Sequence, residues 1–268
     1  MSERLDRKRL FFGMEAIAPW PDELPRGRIL QEGSRHLTLA FLGDSDFPKL
    51  TKSLSQFPKP PFVTGIGACF EKVLFLPHKT PRVAAWEVRL FEETDHFSSY
   101  QKALVSWLAE QGFAPRECRG EFLPHVTLAR APFAEDEWKK KFQKLPLFLQ
   151  DLHLYESLGH SEYKIVWSCR ILPPFEELEH TADIAFRIRG ASLNQIYLHA
   201  QLALSFRFPL LIPYFDFSPV GTLDEAIEAL NRIVAKTDAE IGCPFKAVSF
   251  HGTIQENECL EWEMIVDV

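Results

Sequence analysis

The sequence has few cysteines, no long apolar run, and few basic residues in its last third. Its 5 cysteines in 268 residues include no C-x-x-C pair, which fits neither a disulfide framework nor a zinc site. The longest apolar stretch, residues 206–217, is interrupted by Arg207, Pro213 and Asp216, so it is too polar to span a membrane. The first residues also lack the apolar segment of a secretory signal. We therefore expect a soluble protein of a reducing, cytoplasmic compartment, without a membrane partner.

The scarcity of basic residues is confined to one part of the chain. Residues 1–173 contain 24 Lys and Arg against 22 Asp and Glu, whereas residues 174–268 contain 6 against 15. The first part can hold a local basic groove for a phosphate backbone, whereas the second would repel nucleic acid and suits a cation or a basic protein surface. Because Pro173-Pro174 ends a strand pattern, we predict two domains, 1–173 and 174–268.

Hydrophobic periodicity and turn residues predict an α+β fold in both domains. In the first, the patterns predict strands at 9–14, 35–42, 63–76, 82–90, 123–130, 149–157 and 164–171, and helices at 98–111 and 136–143. In the second, they predict strands at 183–189, 245–254 and 260–268, and helices at 193–206 and 223–236 with Ser192 and Thr222 as N-caps.

One five-residue pattern occurs twice in the first domain. The chain reads His36-Leu-Thr-Leu-Ala and, later, His125-Val-Thr-Leu-Ala. Side chains alternate between the two faces of a strand, so His36 and Thr38 share one face, and His125 and Thr127 share another. The aliphatic residues between them lie on the opposite, buried face. Each copy therefore presents an imidazole and a hydroxyl.

Two such pairs suit phosphoryl chemistry without a metal. One imidazole can act as general base and the other as general acid near neutral pH, and threonine hydroxyls can stabilise the charge that develops on the phosphate. Chance predicts about 0.3 H-x-T tripeptides in a chain of this composition, and the sequence has a further copy at His251-Gly-Thr253. We interpret that copy as structural, because its glycine supplies no buried side chain.

The repeated motif also occurs in a known protein family. Residues 9–171 resemble the two-histidine phosphoesterases of the RNA 2′,3′-cyclic phosphodiesterase type, once called 2′-5′ RNA ligases. The resemblance rests on the opening Arg9-Leu-Phe-Phe-Gly-Met, the block from His36 to Asp44, and Pro124-His-Val-Thr-Leu-Ala-Arg130. It implies two pseudosymmetric α+β lobes facing each other across a groove, with one H-x-T motif on each.

The resemblance also implies further site residues and a reaction. Phe41 would stack on a base and Arg130 would contact the phosphate. Each lies five residues after its histidine, so each strand would need a bulge or an end before this residue to turn it into the groove. The implied reaction is hydrolysis of an RNA 2′,3′-cyclic phosphate to a 2′-phosphate end, with no cofactor. Our hypothesis makes His125 the base and His36 the acid, and the reverse assignment stays open.

The second domain carries a different set of motifs. Glu179-His180-Thr-Ala-Asp183, Ala247-Val-Ser-Phe-His-Gly and the terminal Ile-Val-Asp267-Val resemble archease, an accessory protein of the tRNA-splicing RNA ligase. The resemblance implies a divalent cation, calcium or magnesium, on Asp183 and Asp267, and an RNA ligase as a partner. The stretch that family members usually carry before the Ala-Val strand is shortened here.

Two functions follow from these readings. The first is RNA end processing by a cyclic phosphodiesterase fused to a small archease-like α+β module, acting on RNA with 2′,3′-cyclic phosphate ends in tRNA splicing or RNA repair. The alternative is a non-catalytic accessory protein of an RNA ligase that only binds RNA ends. Turnover of a cyclic-phosphate oligonucleotide in the presence of a chelator distinguishes them.

Overall fold

A computed structural model describes residues 6–91, 95–115, 122–181, 183–256 and 258–268. The chain forms two β-sheets with helices packed against them, so the predicted α+β class is confirmed. The first sheet ends at Cys169 and the second begins at Phe175. The division into domains 1–173 and 174–268 stays a prediction about independent units.

The strands and helices follow the chain as hydrophobic patterning predicts. The first sheet contains β1 (Arg7–Ile17), β2 (Arg28–Ile29), β3 (His36–Asp46), β4 (Ile66–Leu76), β5 (Val83–Leu90), β6 (His125–Arg130), β7 (Pro146–Gly159) and β8 (Glu162–Cys169). The second contains β9 (Phe175–Leu178), β10 (Ile184–Gly190), β11 (Ala247–Glu256) and β12 (Leu260–Asp267). The α-helices are α1 (Phe47–Ser53), α2 (Asp95–Glu110), α3 (Glu135–Lys141), α4 (Leu193–Arg207) and α5 (Leu223–Ile241).

Three short elements were not predicted. Helix α1 lies in a proline-rich stretch that reads as a loop, yet Asp46 caps it by accepting a hydrogen bond from the Lys49 amide, and Pro48 occupies its first turn, where proline is tolerated. Strands β2 and β9 have only two and four residues, too few to show a period.

The first sheet is built from two three-stranded halves. One half has the order β3-β1-β7 and the other β6-β5-β4, and both are antiparallel throughout. They meet at two seams, where β3 pairs with β6 and β4 pairs with β7. Strands β8 and β2 extend the halves beside β7 and β6. Side chains of α2 and α3, including Leu104 and Trp138, pack with the inner sheet residues into one core, which leaves the other face of the central strands for a groove.

The second sheet packs on α4 and α5, and α4 also contacts the first sheet. Every residue from Ile196 to Ser205 is buried, because one side of the helix faces Phe186 and Ile188 of the second sheet while Leu202 packs with Phe148 of the first. The two sheets therefore share a helix buried on both sides. No helix within the described ranges is long and apolar enough to cross a membrane.

Candidate active site

The two His-x-Thr strands meet at the seam between the halves. Leu37 of β3 pairs antiparallel with Val126 of β6, and both side chains are completely buried in the core. Because neighbouring side chains point to opposite faces of a strand, the residues on either side of this bridge all face the groove. They are His36, Thr38, His125 and Thr127. The antiparallel pairing places His36 on the side of Thr127, so each half supplies a histidine next to the other half's threonine.

Both strands contain a bulge directly after the threonine. On β3, Thr38 pairs with Gly13 and Ala40 pairs with Phe12, so Leu39 has no partner across the ladder. On β6 the same shift occurs, because Thr127 pairs with Ala85 and Ala129 pairs with Ala84, which leaves out Leu128. A bulge shifts the alternation of side chains by one residue.

The bulges decide where Phe41 and Arg130 point. Leu39 and Ala40 are both buried in the core, as are Leu128 and Ala129, whereas Phe41 and Arg130 are half-buried. The extra residue therefore turns the fifth position after each histidine back to the groove face. A bulge that can turn Phe41 and Arg130 into the groove is therefore present in both strands.

The strands beside the motifs repeat the same pattern. A glutamate faces each histidine across the ladder, Glu15 opposite His36 and Glu87 opposite His125, and a small residue, Gly13 or Ala85, faces each threonine. A side chain on Gly13 has no room, because its Cβ would lie 2.9 Å from the Leu37 carbonyl oxygen and 3.3 Å from Cδ2 of His36. Glycine at this position lets the His36 ring lie close to β1.

Both imidazoles are oriented in the same way. Nδ1 of His36 lies 2.8 Å from the Ser34 carbonyl oxygen, and Nδ1 of His125 lies 2.8 Å from the Leu123 carbonyl oxygen. A carbonyl only accepts, so each Nδ1 carries the proton and donates it. The Nε2 atom of each ring is then left to accept or to donate a proton in the groove.

The surroundings of His36 hold it neutral. Its ring packs against Phe11, Tyr155 and Tyr163, with ring centroids 4.7, 5.0 and 5.1 Å away. Burial lowers the pKa of His36 to about 4, opposed by its hydrogen bond to Ser34, and the positive charges of His125, Arg130 and His153 lower the pKa further. These charge effects place His36, His125 and Arg130 in one electrostatic environment.

The two residues at the fifth position after the histidines each have a partner. Arg130 donates a hydrogen bond from Nη2 to the Tyr163 hydroxyl at 3.0 Å. The guanidinium of Arg9 lies 5.1 Å from the centre of the Phe41 ring, and Phe41 also stacks on Phe11 at 6.4 Å. A guanidinium is therefore present at this position in each half, that of Arg9 beside Phe41 and that of Arg130 itself.

Sequence reasoning missed five residues of this site. They are Phe11, Glu15, Glu87, Tyr155 and Tyr163. Phe11 and Glu15 alternate with Gly13 on β1, a signal that was available in the sequence. The two tyrosines lie on a hairpin whose register no local pattern gives, so only the fold brings them to His36.

The two aspartates predicted to bind a cation, Asp183 and Asp267, lie in the second sheet region. Ile184 pairs with Val266, so Asp183 and Asp267 lie at matching ends of β10 and β12. Asp267 is exposed, and Asp183 donates its backbone N–H to Nδ1 of His180 at 3.2 Å.

The one acid of the last strand that is partly buried has an ion-pair partner. Glu261 accepts a hydrogen bond from Arg189 at 2.7 Å, and Arg189 also binds Glu176 at 2.9 Å. The ion pair with Arg189 therefore explains the partial burial of Glu261 without a metal cation. Two carboxylates are fewer than calcium requires, since it takes six to eight oxygen ligands. Within the part of the chain that the structure describes, no group of three or more His, Cys, Asp and Glu side chains could hold a metal ion.

Known proteins resemble part of this chain. No protein-family model matches it. It is 27% identical over 157 residues to the RNA 2′,3′-cyclic phosphodiesterase of Thermotoga maritima, a match that covers 53% of this chain and 78% of that protein. The structure of E. coli LigT complexed with 3′-AMP matches 62% of this chain and 98% of its own, with a TM-score of 0.45 and 20% identity. A Thermus thermophilus structure matches 61% of this chain and 97% of its own, with a TM-score of 0.43 and 20% identity.

Proposed function

We propose that residues 1–173 form a two-histidine phosphoesterase that hydrolyses RNA 2′,3′-cyclic phosphate ends to 2′-phosphate ends without a metal. The observation that carries this proposal is the antiparallel bridge between Leu37 and Val126, which turns both His-x-Thr pairs toward one groove. The similarity to an RNA 2′,3′-cyclic phosphodiesterase over about half of the chain supports the choice of substrate.

The reaction divides between the two imidazoles. One Nε2 removes a proton from water as the water oxygen attacks phosphorus, and the other protonates the 3′ oxygen as its bond to phosphorus breaks. The low pKa of His36, about 4, keeps this ring neutral at pH 7, and a neutral imidazole is what a base requires. We therefore assign His36 as the base and His125 as the acid, the reverse of the assignment made from the sequence.

The remaining groove residues bind the phosphate and the base. Thr38 and Thr127 would donate their hydroxyl protons to the non-bridging oxygens, where charge builds up in the transition state. Arg130 would neutralise the phosphate with the N–H groups that its bond to Tyr163 leaves available. Phe41 would stack on a nucleobase, an interaction that tolerates different bases.

For the second region we propose an archease-like module that assists an RNA ligase in tRNA splicing or RNA repair. The motifs around Asp183 and Asp267 and their matching strand ends support this proposal. Calorimetric titration of the whole chain with CaCl₂ and with MgCl₂ tests it: binding that is lost in Asp183→Asn and in Asp267→Asn is the expected result. Equal heats in the wild type and both variants would contradict a cation at these residues.

Turnover of a cyclic-phosphate oligonucleotide with EDTA present tests the enzymatic function. We expect a 2′-phosphate product, and a decrease in rate of about 10³-fold in His36→Ala and in His125→Ala. His251→Ala is the matched control, because it removes a His-x-Thr histidine of the second region, whose side chain lies outside the described residues, and should leave the rate unchanged. Binding of the oligonucleotide without turnover by the wild type would favour the alternative, a non-catalytic RNA-end-binding accessory protein of an RNA ligase.

A further inference from the structure

One aromatic residue contacts both halves of the groove. Tyr163 follows the tight turn of the β7–β8 hairpin, where His160 and Ser161 have positive φ angles of 51° and 71°. Its ring meets the His36 ring edge-on, with an interplanar angle of 89°, and meets Phe11 in the same manner at 5.3 Å. The hairpin therefore places the Tyr163 ring beside the histidine of the first half.

The hydroxyl of the same residue reaches the second half. Tyr163 accepts a hydrogen bond at 3.0 Å from Nη2 of Arg130, which is the last residue of β6. An arginine side chain loses much rotamer freedom when it is held in place, and a bond to a charged donor is stronger than one between neutral groups. A guanidinium has five N–H groups, so those that remain can face an anion while this one is occupied.

Phe41 and Arg130 hold corresponding positions in the two strands, and each is fixed by a residue from outside its own strand. Phe41 is held by its contacts with Arg9 and Phe11, both on β1 of the same half. Arg130 is instead bound by a residue from the opposite half. The bond between Arg130 and Tyr163 therefore joins the two halves, and Tyr163 contacts both the guanidinium of Arg130 and the ring of His36.

We propose that Tyr163 is a positioning residue that aims Arg130 at the substrate phosphate and fixes the distance between Arg130 and His36. The proposal rests on the proposed phosphoesterase function of this groove. Tyr163 acts through Arg130, so its hydroxyl matters for binding and orientation of the anion more than for the proton transfers.

Tyr163→Phe is the informative variant, because it removes the hydroxyl and keeps the ring. We expect kcat/KM for a 2′,3′-cyclic nucleotide to fall about tenfold, mostly through KM, which corresponds to one hydrogen bond to a charged group. Tyr214→Phe is the matched control: it also removes a hydrogen-bonded tyrosine hydroxyl, one that donates to Glu240 at 2.9 Å in the second region, so this variant should change kcat/KM less than twofold.

A double-mutant cycle separates positioning from a general effect on folding. In an Arg130→Ala background, Tyr163→Phe should have little further effect, since the two side chains act through one contact. An equal loss from Tyr163→Phe with and without Arg130 would overturn the proposal, as would a Tyr163→Phe variant with wild-type KM.

A binding measurement keeps this proposal separate from the proposed function. Titration with inorganic phosphate requires no turnover, and we expect Tyr163→Phe to weaken binding about tenfold while Tyr214→Phe does not. If the wild type turns over no cyclic phosphate but this pattern of phosphate binding holds, the function is wrong and the role of Tyr163 stands. If the wild type is active and both tyrosine variants bind phosphate as it does, the role of Tyr163 is wrong and the function stands.

Discussion

The two His-x-Thr strands have the same backbone and different surroundings. Each carries a bulged leucine after its threonine, a small residue and a glutamate across the ladder, and an Nδ1 bond to a carbonyl two residues earlier. His36, however, is buried against three aromatic rings and has a low pKa, whereas His125 is half-buried.

This difference shows how a repeated motif can perform two tasks. Strand pairing turns both imidazoles to one groove, and burial holds the His36 ring neutral before substrate arrives. In the proposed reaction, His36 is the base because rings of β1, β7 and β8 bury it. The following variants change one half, and each is compared with a variant at the corresponding position of the other half.

The largest expected difference is in stability at acid pH. His36 has a folded pKa of about 4 against an ordinary value of 6.5, so the unfolded chain binds the proton more tightly, and stability should fall as the pH drops from 6.5 toward 4. The contribution of His36 to this loss is about 3 kcal/mol.

Urea unfolding at pH 7 and pH 4.5 measures this effect. His36→Phe, which keeps an aromatic ring at this position, should lose less stability between the two pH values than the wild type, and less than His125→Phe, in which His36 is intact. Buried His199, whose pKa is also about 4, gives all three proteins a common acid dependence. Equal losses in all three would show that His36 is not held neutral.

The second largest difference should be in the kcat/KM of variants at the fifth position after each histidine. Arg130→Ala removes the charge that binds the phosphate, and we expect kcat/KM to fall about 100-fold. Phe41→Ala removes one stacking contact and should cost about tenfold, mainly in KM. Arg232→Ala, an exposed arginine of α5, is the control for loss of positive charge. Steady-state kinetics on a cyclic nucleotide and on a cyclic-phosphate oligonucleotide would show whether Phe41 matters equally for both.

The smallest expected difference concerns the residues opposite the threonines. Gly13→Ala would bring a methyl group to 2.9 Å from the Leu37 carbonyl oxygen and against His36, so we expect a loss of about 1–3 kcal/mol and reduced activity. Ala85→Gly adds backbone freedom in a strand and should cost about 0.5–1 kcal/mol without loss of activity. Thermal unfolding and turnover measured together check both. A fully active and stable Gly13→Ala would mean that the close approach of His36 to β1 is not required.

Alternation along the strands was sufficient to predict both His-x-Thr strands and to require a bulge or a strand end before Phe41 and Arg130. It could not give the roles of the two histidines, because burial of His36 depends on Tyr155 and Tyr163, more than a hundred residues away in the chain. The register of the β7–β8 hairpin, which brings Tyr163 to Arg130, is set by a turn and a shift after Leu154 that no local period reveals.

Sequence patterns were also insufficient to predict the packing of the second region. Its sheet and helices follow the predicted spans, but α4 is apolar on nearly every side because it packs against two sheets. A sequence pattern reports that such a helix is buried without reporting what covers it. The metal pair at Asp183 and Asp267 stays a prediction, because two carboxylates at adjacent strand ends are only part of a coordination sphere.

The pH dependence of kcat/KM on a 2′,3′-cyclic phosphate substrate, measured with EDTA present, tests the central claim most directly, because it reports the ionisation of the free enzyme. With His36 as the neutral base, kcat/KM should fall on the acid side only below about pH 5, following the pKa of about 4. A kcat/KM that instead begins to fall on the acid side below about pH 7, with a midpoint near the ordinary histidine pKa of 6.5, would mean that the base is not the buried, neutral His36 and would contradict the proposed mechanism.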